Sequence, residues 1–561
     1  MSALWWLLVP MTPLAGVVFT LLWQDRVYPW LWLTTLPALL FALVPALTPE
    51  ALDLGWLWPG AAWYLDDVVG RAFLGFSALL WAAASLYGVS TQSQHPQRER
   101  FWIFWLVSLA GNLLLIIAQD GASFYVGFTL MSLAAYALVV HLGGPGPRQA
   151  GRIYLQLAIA GELMIYAALM LRIHESGGAL DLASWQAVHS QPVTMVLLII
   201  GFGLKAGFWP LHVWLPLAHP AAPAAASAVL SGAMIKAGIL GLWRFLPEGD
   251  PLLQTAAPWL IGIGMFSAFY GVILGLMQTQ AKSALAFSSV SQVGYLLAIL
   301  ALSWLAPEHS LFWGALLATY VVHHGFAKGA LFMGAGLAKV HPLRRVHWLL
   351  LAVPALALAG LPLTSGGAAK QFLKDGFYEA GLSAWIPMLT VGGIGTFLLL
   401  VRVLVLIRQH QVTPDTPRAP NSMFWPWVTI SLMPLLAPAL WPTLRLSWFN
   451  SLVPVNAWPL LWPLLLAATI GGIALYLNWR PSEHWMHRMN SASSPARKWS
   501  LALKHQTQRP ALRQEAGRQA SPIWRQTERQ WNRFWQRETV SHSAWVITAL
   551  LILLGLWQLI S

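Results

Sequence analysis

The sequence predicts an all-α polytopic membrane protein with about 16 transmembrane helices. Of its 561 residues, 57% are hydrophobic and only 9% are charged, and its mean hydropathy is +0.60. These values lie outside the range of soluble globular domains. Apolar runs of about 18 residues or more recur along the whole chain, and each is long enough to cross a hydrocarbon core of about 30 Å. We therefore expect an integral, multi-pass protein, and a bacterial inner membrane is the expected location.

The spans divide the chain into groups. The first apolar run lacks a basic leader and a small-residue cleavage site, so we interpret it as the first span rather than as a signal peptide. The predicted spans are 3–23, 28–48, 72–92, 101–118, 122–142, 153–173, 194–216, 225–247, 258–278, 283–304, 311–337, 346–379, 384–408, 424–442, 456–478 and 543–561. The corresponding divisions are N-terminal helices in 1–100, two groups in 101–247 and 258–408, further helices in 424–478, a polar segment 481–540, and a last helix 543–561.

Two of these spans are predicted to be broken helices. The span 194–216 contains GFWPLHVWLP, and the span 346–379 contains AGLPLTSGG. Proline and glycine expose backbone polar groups, which a membrane tolerates only where protein or a water-filled cavity satisfies them. Transporters often carry such a pair of broken helices in corresponding positions of two repeats. The alternative is that both are kinked helices with a packing role only.

The segment 481–540 is predicted to lie on the membrane surface. It contains twelve Lys and Arg against four acids between Arg480 and Val540, and so holds much of the chain's net charge of +13. Its last part, SPIWRQTERQWNRFWQRE, places aromatic residues at three- and four-residue steps with arginines opposite, as in a basic amphipathic helix. We expect it to contact lipid headgroups and partner membrane subunits, and we expect no nucleic acid. A plain cytoplasmic tail is the alternative.

Cysteine is absent from the chain. Disulfides, thiolate zinc sites and cysteine-ligated iron–sulfur clusters are therefore excluded for this chain. We expect it to bind no cofactor, so that any redox chemistry nearby belongs to another subunit. Carboxylates do not cluster with the histidines in the sequence, so we also expect no metal site.

Lysines concentrate in the apolar spans, whereas arginines lie mostly in loops and in the segment 481–540. The chain has nine lysines, and five of them lie within or at the edge of spans: Lys205, Lys236, Lys282, Lys328 and Lys370. Arginine keeps its proton, whereas a lysine deprived of water can release one. Ionisable groups inside a membrane are costly and are functional candidates by default. A lysine near the end of a span can instead extend its ammonium to the surface, and this alternative is strongest for Lys282.

Histidines accompany the lysines. His212 and His219 flank the broken part of 194–216, and His323 and His324 come one turn before Lys328 in YVVHHGFAKGALF. His324 and Lys328 are four residues apart and therefore lie on one helical face. This arrangement suits proton transfer through intervening water. The alternative for each histidine is a hydrogen-bonded residue of the core.

Glu162 is the clearest acid inside a span, in YLQLAIAGELMIYAALM. A glutamate at this depth needs a cationic or polar partner, or it is protonated. An anion beside Lys205 would form a pair that can be switched, so we expect Glu162 to have a functional role.

Four stretches, in order, resemble the antiporter-like membrane subunits of respiratory complex I, a family that includes subunits of sodium/proton antiporters and membrane-bound hydrogenases. They are KAGFWPLHVWLPLAHPAAPAAASAVLSGAMIKAG, QTQAKSALAFSSVSQVGY, HHGFAKGALFMGAG and AGLPLTSGGAAKQFL. The resemblance covers about residues 100–410. The number of spans and the amphipathic stretch before the last one are most similar to the largest of these complex I subunits.

The resemblance implies two inverted five-helix repeats, 101–247 and 258–408, each with a broken helix. It also implies a central proton axis in the membrane. Lys205 matches the lysine of the first broken helix, Lys236 the lysine of the next helix, and His324 with Lys328 the connecting pair. Lys370 matches the terminal residue of this axis.

The sequence departs from the family pattern at two positions. The family usually has a glutamate paired with the first broken-helix lysine, and here Thr129 occupies that position in VGFTLMSLAAY. Threonine carries no charge, so we hypothesise that Glu162, one span later, supplies the anion. The aspartate often found after WLP is replaced by Leu217. These changes indicate a divergent subfamily.

Three functions stay open at this point. The first is proton translocation as a subunit of a complex I-like, NADH–quinone oxidoreductase-related assembly, in which any oxidoreductase activity belongs to the whole complex. The second is a subunit of a sodium/proton antiporter. The third is a proton-conducting partner of an inorganic-carbon uptake complex or of a hydrogenase complex. The subunits that co-purify with the chain distinguish these functions, because the driving reaction lies outside a cysteine-free chain.

Overall fold

A computed structural model describes residues 2–413 and 420–477. In these residues the chain is helical apart from one small antiparallel sheet of β1 (Leu52–Asp53) and β2 (Ala62–Trp63), in which Leu52 pairs with Trp63. The all-α class is therefore confirmed for the described part of the chain.

The N-terminal region contains three helices. They are α1 (Leu8–Trp23), α2 (Leu36–Leu43) and α3 (Val68–Gln92), with 3-10 turns at Ala3–Leu7, Gln24–Arg26, Tyr28–Thr35 and Pro45–Leu47. Asp67 caps α3, because its carboxylate accepts a hydrogen bond from the backbone N–H of Gly70. Helix α3 is largely buried against later helices, so it belongs to the centre of the molecule.

The next group of helices contains the first break. It consists of α4 (Arg98–Ile117), α5 (Gly121–Val140), α6 (Pro145–Glu175), α7 (Leu182–Gln186), α8 (Pro192–Ala206), α9 (Leu215–Ala221), α10 (Ala224–Val229), the π-helical turn Leu230–Met234 and α11 (Lys236–Phe245). Helix α8 ends where Gly207 adopts a left-handed conformation at φ +80°. Pro210 follows and has no N–H with which to continue a helix. The predicted break in 194–216 is therefore present between α8 and α9.

The second group contains the other break. It consists of α12 (Pro251–Leu276), α13 (Ala281–Leu305), α14 (Ser310–Leu337), α15 (Arg345–Ala359), α16 (Ser365–Glu379) and α17 (Ile386–Gln409). Gly360, at φ +98°, ends α15, and Thr364 then caps α16 by accepting hydrogen bonds from the N–H groups of Gly366 and Gly367 at 3.2 and 3.3 Å. The predicted interruption in 346–379 is thus present as well.

Three helices complete the described chain: α18 (Asn421–Leu440), α19 (Pro442–Leu452) and α20 (Pro454–Tyr476). Helix α19 packs along α16, and α20 packs along α17. The C-terminal helices therefore lie against the second group, and they add contacts to the second broken helix.

Each span predicted before residue 478 contains helix, but fewer helices than expected have the length and composition of a membrane span. Eleven helices in the described residues meet both conditions, and Tyr28–Leu43, Pro192–Ala206 and Arg345–Ala359 are apolar but shorter. Fifteen of the 16 predicted spans lie before residue 478. The spans 28–48, 194–216 and 346–379 contain only shorter apolar helices, and α14, in the span 311–337, is long enough but is not among the eleven. The last predicted span, 543–561, and the surface segment 481–540 lie outside the described residues.

The order of helices is the same in 101–247 and 258–408. Each range has three long helices, then a broken helix, then a final helix. This order is what a repeat predicts, and the inverted relation of the two ranges stays a prediction.

Close helix packing shields the centre of the molecule from lipid. The segment Ala224–Phe245 and helix α13 are buried along their whole apolar stretch. Gly271 lets α12 approach α13 closely, since a Cβ at this position would come within 2.6 Å of the carbonyl oxygen of Phe287. Charged residues on these central segments are therefore surrounded by protein, which removes the cost of exposing them to hydrocarbon.

Candidate functional site

Lys205 lies in the last turn of α8, immediately before the first break, and is 5% exposed. Its ammonium donates hydrogen bonds to Ser132 Oγ on α5 at 2.9 Å and to Tyr154 Oη on α6 at 3.2 Å. The rings of Phe128 and Tyr154 lie 5.8 and 5.6 Å from Nζ, a distance at which aromatic faces attract a cation. Three helices thus build a polar site for this lysine.

Glu162 lines the same small cavity as Lys205. Ser132 and Tyr154 line this cavity as well, and the cavity has room for about one water molecule. Glu162 is 6% exposed and interacts electrostatically with Lys205, and its Oε1 atom has no hydrogen-bond partner among the described residues. The structure therefore brings together the acid and the lysine that the sequence suggested as a pair.

Thr129 lies next to this cavity without lining it. Its neighbours on α5, Phe128 and Ser132, face the cavity. Helix α5 therefore contributes the Phe128 ring and the Ser132 hydroxyl to the surroundings of Lys205, and Thr129 adds no carboxylate there. The nearby carboxylate comes from α6.

His212 and His219 lie at the first break. His212 is buried with its ring edge-on to Tyr270 at 5.0 Å between centroids. His219 on α9 is fully buried and stacks on Phe332 at 4.6 Å, and neither ring nitrogen of His219 has a hydrogen-bond partner within residues 2–413 and 420–477. Such uncompensated imidazoles are unusual in a core, and they leave donors and acceptors free for water.

Lys282 contacts the first break rather than the surface. Its ammonium, at the start of α13, donates to the carbonyl oxygen of Ala222 at 2.6 Å and to Ser227 Oγ at 3.2 Å. Ala222 follows the last residue of α9, so its carbonyl is one of those that a helix end leaves without an intrahelical partner. Lys282 therefore closes the end of α9, and the alternative of an ammonium reaching solvent does not describe this structure.

Lys236 is fully buried at the start of α11. Its ammonium donates to the carbonyl oxygen of Ser231 at 2.6 Å, within the π-helical turn Leu230–Met234. A π-helical turn alters the regular i to i+4 hydrogen bonding and is frequent at functional sites. No local pattern in the sequence predicted this turn, which positions an acceptor beside the lysine.

Helix α14 carries the next ionisable groups. Lys328 donates to the carbonyl oxygen of Leu285 at 2.9 Å and to Ser288 Oγ, both on α13. His324, one turn earlier, is fully buried, and both of its ring nitrogens lack hydrogen-bond partners among the residues described. His323 points to the second break, where its Nδ1 lies 3.0 Å from Ser365 Oγ. The His–Lys face expected from the sequence is therefore inside the protein.

Lys370 lies on α16, just after the second break. Its ammonium donates to the carbonyl oxygen of Ala359, the last residue of α15, at 2.7 Å. Lys370 also lines a cavity with Tyr295, Tyr320 and Lys374 that has room for about one water molecule.

Lys374 is an ionisable residue that the sequence interpretation missed. It is 8% exposed, and its ammonium lies 3.3 Å from the carbonyl oxygen of Pro459 on α20. Its four-residue spacing from Lys370 was the available signal, since such residues share a helical face. Tyr154 was missed too, because its contact with Lys205 joins separate helices.

Electrostatic interactions connect most of these groups. Lys236 interacts with Lys328 and His324, and His323 interacts with both Lys236 and Lys370. Among the described residues, no direct contact joins Lys205 to Lys236. The groups therefore form a small set at Lys205 and a longer set from Lys236 to Lys370.

The described residues contain no group of three or more His, Asp or Glu that could hold a metal ion. The buried polar atoms of the two sets face other protein groups and two water-sized cavities. The arrangement thus consists of buried ionisable groups beside protein oxygen atoms and cavities that each have room for about one water molecule.

Comparisons with known proteins identify the family to which the chain is similar. The family model described as NADH:quinone oxidoreductase/Mrp antiporter, TM, matches residues 118–399. Hydrogenase-4 component B of Escherichia coli is 30% identical over 399 residues, which cover 64% of this chain and 59% of that protein. NADH-quinone oxidoreductase subunit N of Pelobacter propionicus is 29% identical over 392 residues, which cover 67% of this chain and 81% of that protein.

A putative antiporter subunit of Staphylococcus saprophyticus is 24% identical over 457 residues, which cover 73% of this chain and 55% of that protein. The chain thus spans less than two thirds of the hydrogenase and antiporter relatives. Its fold resembles a chain of the Mrp complex from Dietzia sp., with a TM-score of 0.70 and 19% identity, covering 99% of this chain and 62% of that one.

A second solved structure has the same fold. A chain of an archaeal membrane-bound sulfane sulfur reductase has a TM-score of 0.66 and 19% identity, covering 98% of this chain and 99% of that one. The match to the family model includes half of this chain and every candidate residue from Thr129 to Lys370. The protein is an integral, multi-pass membrane protein that belongs to the NADH:quinone oxidoreductase/Mrp antiporter transmembrane family.

Proposed function

We propose that this chain translocates protons across the membrane as a subunit of a complex I-like assembly, through the ionisable groups from Lys205 to Lys370. The observation that carries this proposal is the set from Lys236 to Lys328. These lysines are fully buried and bond to carbonyl and hydroxyl oxygens, and no carboxylate of the described residues pairs with them. A buried ammonium without a counter-ion is costly, and loss of its proton removes that cost.

Lys205 and Glu162 act as the switch of the mechanism. They share a cavity without the direct ion pair that would hold a proton firmly on the lysine. At an effective dielectric constant of ~20, unit charges about 4 Å apart interact by roughly 4 kcal/mol. Closing the pair would therefore favour a proton on Lys205, and opening it would release that proton towards Lys236.

The later groups receive the proton in sequence. Water at the first break carries it from Lys205 to Lys236, and His324 carries it between Lys236 and Lys328. His323, which faces the second break and interacts with Lys370, connects the central groups to the terminal lysine. His212, His219 and Lys282 are auxiliary in this mechanism, because they line or close the first break.

The charges at the two ends of the helices support one orientation. One end carries most of the loop cations: Arg26, Arg98, Arg100, Arg148, Lys339, Arg344 and Arg345. The other end carries mainly acids: Asp53, Asp66, Asp67, Asp120, Asp181, Glu248 and Asp250. Because cytoplasmic loops are enriched in Lys and Arg, the basic end faces the cytoplasm.

A cation/proton antiporter subunit is the second candidate function. It is favoured by the similarity to the putative antiporter subunit of S. saprophyticus and by the fold shared with the Mrp complex chain. The proton axis is the same in this case, and a cation gradient replaces the redox reaction. A partner of a hydrogenase or of an inorganic-carbon uptake complex would use the same axis as well, and the hydrogenase-4 relative supports this variant.

Partner subunits supply the driving reaction under each of these functions. Cysteine is absent from the sequence, so any iron–sulfur cluster, NADH or quinone site would belong to a partner. The segment 481–540, outside the described residues, is the proposed contact with other membrane subunits and with lipid.

The experiment is isolation of the complex through a tag on this chain, followed by identification of its subunits and reconstitution into vesicles. We expect proton flux, reported by an internal pH dye, when a potassium diffusion potential is imposed. Flux coupled to an electron donor supports the complex I-like function, and flux coupled to a sodium gradient supports the antiporter. If the complex moves no protons under any of these conditions, the proposal is wrong.

A further inference from the structure

Helix α16 carries a line of ionisable groups from Lys370 to the end of the helix. Lys374 follows Lys370 by four residues, so the two side chains share one face, and both line the cavity with Tyr295 and Tyr320. They also interact electrostatically. A proton on Lys370 therefore has a second buried amine within reach through about one water molecule.

Asp375 continues this line towards the surface. It is half-buried and interacts with Lys374, and it accepts hydrogen bonds from Gln371 Nε2 at 2.8 Å and from Asn450 Nδ2 on α19 at 3.3 Å. The two amides hold the carboxylate beside the lysine. Asp375 is thus an acceptor placed between the buried amine and water.

Glu379 ends the line four residues after Asp375, on the last residue of α16. Its carboxylate lies 3.2 Å from the Nε2 atom of His309, and both side chains are 42% exposed. His309 precedes α14, whose Gly314 packs close to Val68 at the start of α3. The line therefore opens at the acid-rich end of the helices.

A proline in α20 creates the acceptor for Lys374. In a regular helix the carbonyl of Pro459 would accept from the N–H of residue 463, but residue 463 is also proline and has no N–H. Lys374 donates to this free carbonyl instead, at 3.3 Å. Helices α19 and α20 lie beyond the residues 118–399 that match the family model, so a part of the chain outside that match completes this site.

We propose that Lys374 and Asp375 carry the proton from Lys370 to the acid-rich membrane face, with Asn450 and the Pro459 carbonyl as positioning groups. This inference rests on the proposed proton translocation. The Lys370 ammonium gives a proton to the Lys374 amine through water, Lys374 passes it to the Asp375 carboxylate, and Asp375 releases it to solvent beside Glu379 and His309. Each donor becomes neutral or anionic as its acceptor gains the proton, so charge balances without another reactant.

The test compares Lys374→Arg with Lys374→Gln in the purified, reconstituted complex, and measures voltage-driven proton flux per assembled complex. We expect both variants to lower the flux about tenfold or more, because neither side chain can pass on a proton. Arginine keeps the positive charge and a donor for the Pro459 carbonyl, so a purely structural role would be rescued in Lys374→Arg. Lys339→Gln, at an exposed lysine of the opposite end, is the matched control and should retain full flux.

The possible results separate this inference from the proposed function. If Lys370→Gln stops flux while Lys374→Arg retains it, Lys374 is not on the route and the proposed function stands. If neither Lys205→Gln nor Lys370→Gln lowers the flux, or if the wild-type complex has none, the proposed function fails and the inference fails with it.

A labelling experiment tests the same route without a flux measurement, so its result does not depend on how much active complex a variant forms. The native sequence has no cysteine, so Lys374→Cys introduces a single thiol. We expect a small, membrane-impermeant cationic thiol reagent to modify it from the acid-rich side, because the route contains water. The absence of modification from that side, in vesicles where Glu379→Cys reacts, would overturn the inference.

Discussion

The two ends of the proposed axis stabilise buried lysines by different means. Lys205 lies among side chains: two hydroxyls, two aromatic faces and the nearby carboxylate of Glu162. From Lys236 onwards the acceptors include backbone carbonyls, those of Ser231, Ala359 and Pro459 among them. A carboxylate stabilises the charged lysine strongly, whereas a carbonyl dipole stabilises it less. The first region is therefore suited to holding a proton, and the second to passing one on.

Helix irregularities provide the carbonyls of the second region. Ser231 is in a π-helical turn, Ala359 ends α15, and Pro459 lacks an intrahelical partner because Pro463 follows it by four residues. Each irregularity leaves a carbonyl oxygen available at membrane depth, and a lysine satisfies it. These irregularities thus supply oxygen acceptors for the buried ammonium groups of Lys236, Lys370 and Lys374.

The largest effect is expected in the carboxylate-free region. Lys236→Gln should lower proton flux about a hundredfold or more, because the ionisable group that the proposed axis uses between Lys205 and His324 is lost. The amide can still donate to the Ser231 carbonyl, so assembly should be normal. Flux per assembled complex, with Lys339→Gln as the control, is the measurement, and near-normal flux would remove Lys236 from the axis.

The acid of the first region should have the next largest effect. Glu162→Gln should lower flux about tenfold, since a proton on Lys205 loses its counter-charge, and roughly 1.4 kcal/mol corresponds to this factor. Thr129→Glu in the Glu162→Gln background should restore part of the flux, because it returns a carboxylate to α5 near Ser132. Wild-type flux in Glu162→Gln would show that Lys205 needs no acid.

The hydroxyl at Lys205 should matter less. Ser132→Ala removes one hydrogen bond to the ammonium, a loss of about 1 kcal/mol or roughly fivefold in equilibrium constant. The matched control is Ser123→Ala on the same helix, whose hydroxyl bonds to Trp63 instead. A flux measurement in which both variants behave alike would mean that Ser132 does not tune Lys205.

The smallest effect is expected at the carbonyl acceptor of Lys374. Pro463→Ala returns an N–H to α20, and this N–H competes with Lys374 for the carbonyl of Pro459. Flux should change by about two- to threefold, the lower part of the range for one hydrogen bond. Pro454→Ala, at the first residue of the same helix, is the control, since an N–H there has no intrahelical acceptor. Equal flux in both variants would mean that the free carbonyl has no role.

Local patterns of the sequence predicted most of the fold. Apolar runs located the helices, and Gly207 with Pro210 and Gly360 with Thr364 located the breaks, because these residues act on the backbone within one turn. Eleven of the fifteen spans predicted before residue 478 have the length and composition of a membrane-crossing helix, and the broken spans do not, because a run of apolar residues does not reveal where a break shortens the helix. The segments 481–540 and 543–561 stay predictions.

The candidate site was predicted in part. The lysines could be identified because charged residues are rare in apolar segments, and Glu162 was chosen for the same reason. The hydrogen-bond acceptors of the lysines could not be predicted. The π-helical turn at Ser231, the contact of Tyr154 with Lys205 and the contact of Lys374 with the Pro459 carbonyl depend on how the chain packs. Lys374 was missed although its spacing from Lys370 was in the sequence.

By itself, the sequence determined that this protein is a helical membrane protein with ionisable groups in its spans, because hydropathy and helix-breaking residues act locally. Only the tertiary structure decided which groups meet. Glu162 reaches the cavity of Lys205 because α6 packs against α8, and Lys374 finds its acceptor because α20 packs near α16. The physical reason is that a buried charge is stabilised by whatever polar atoms the packing of helices brings within about 3 Å of it.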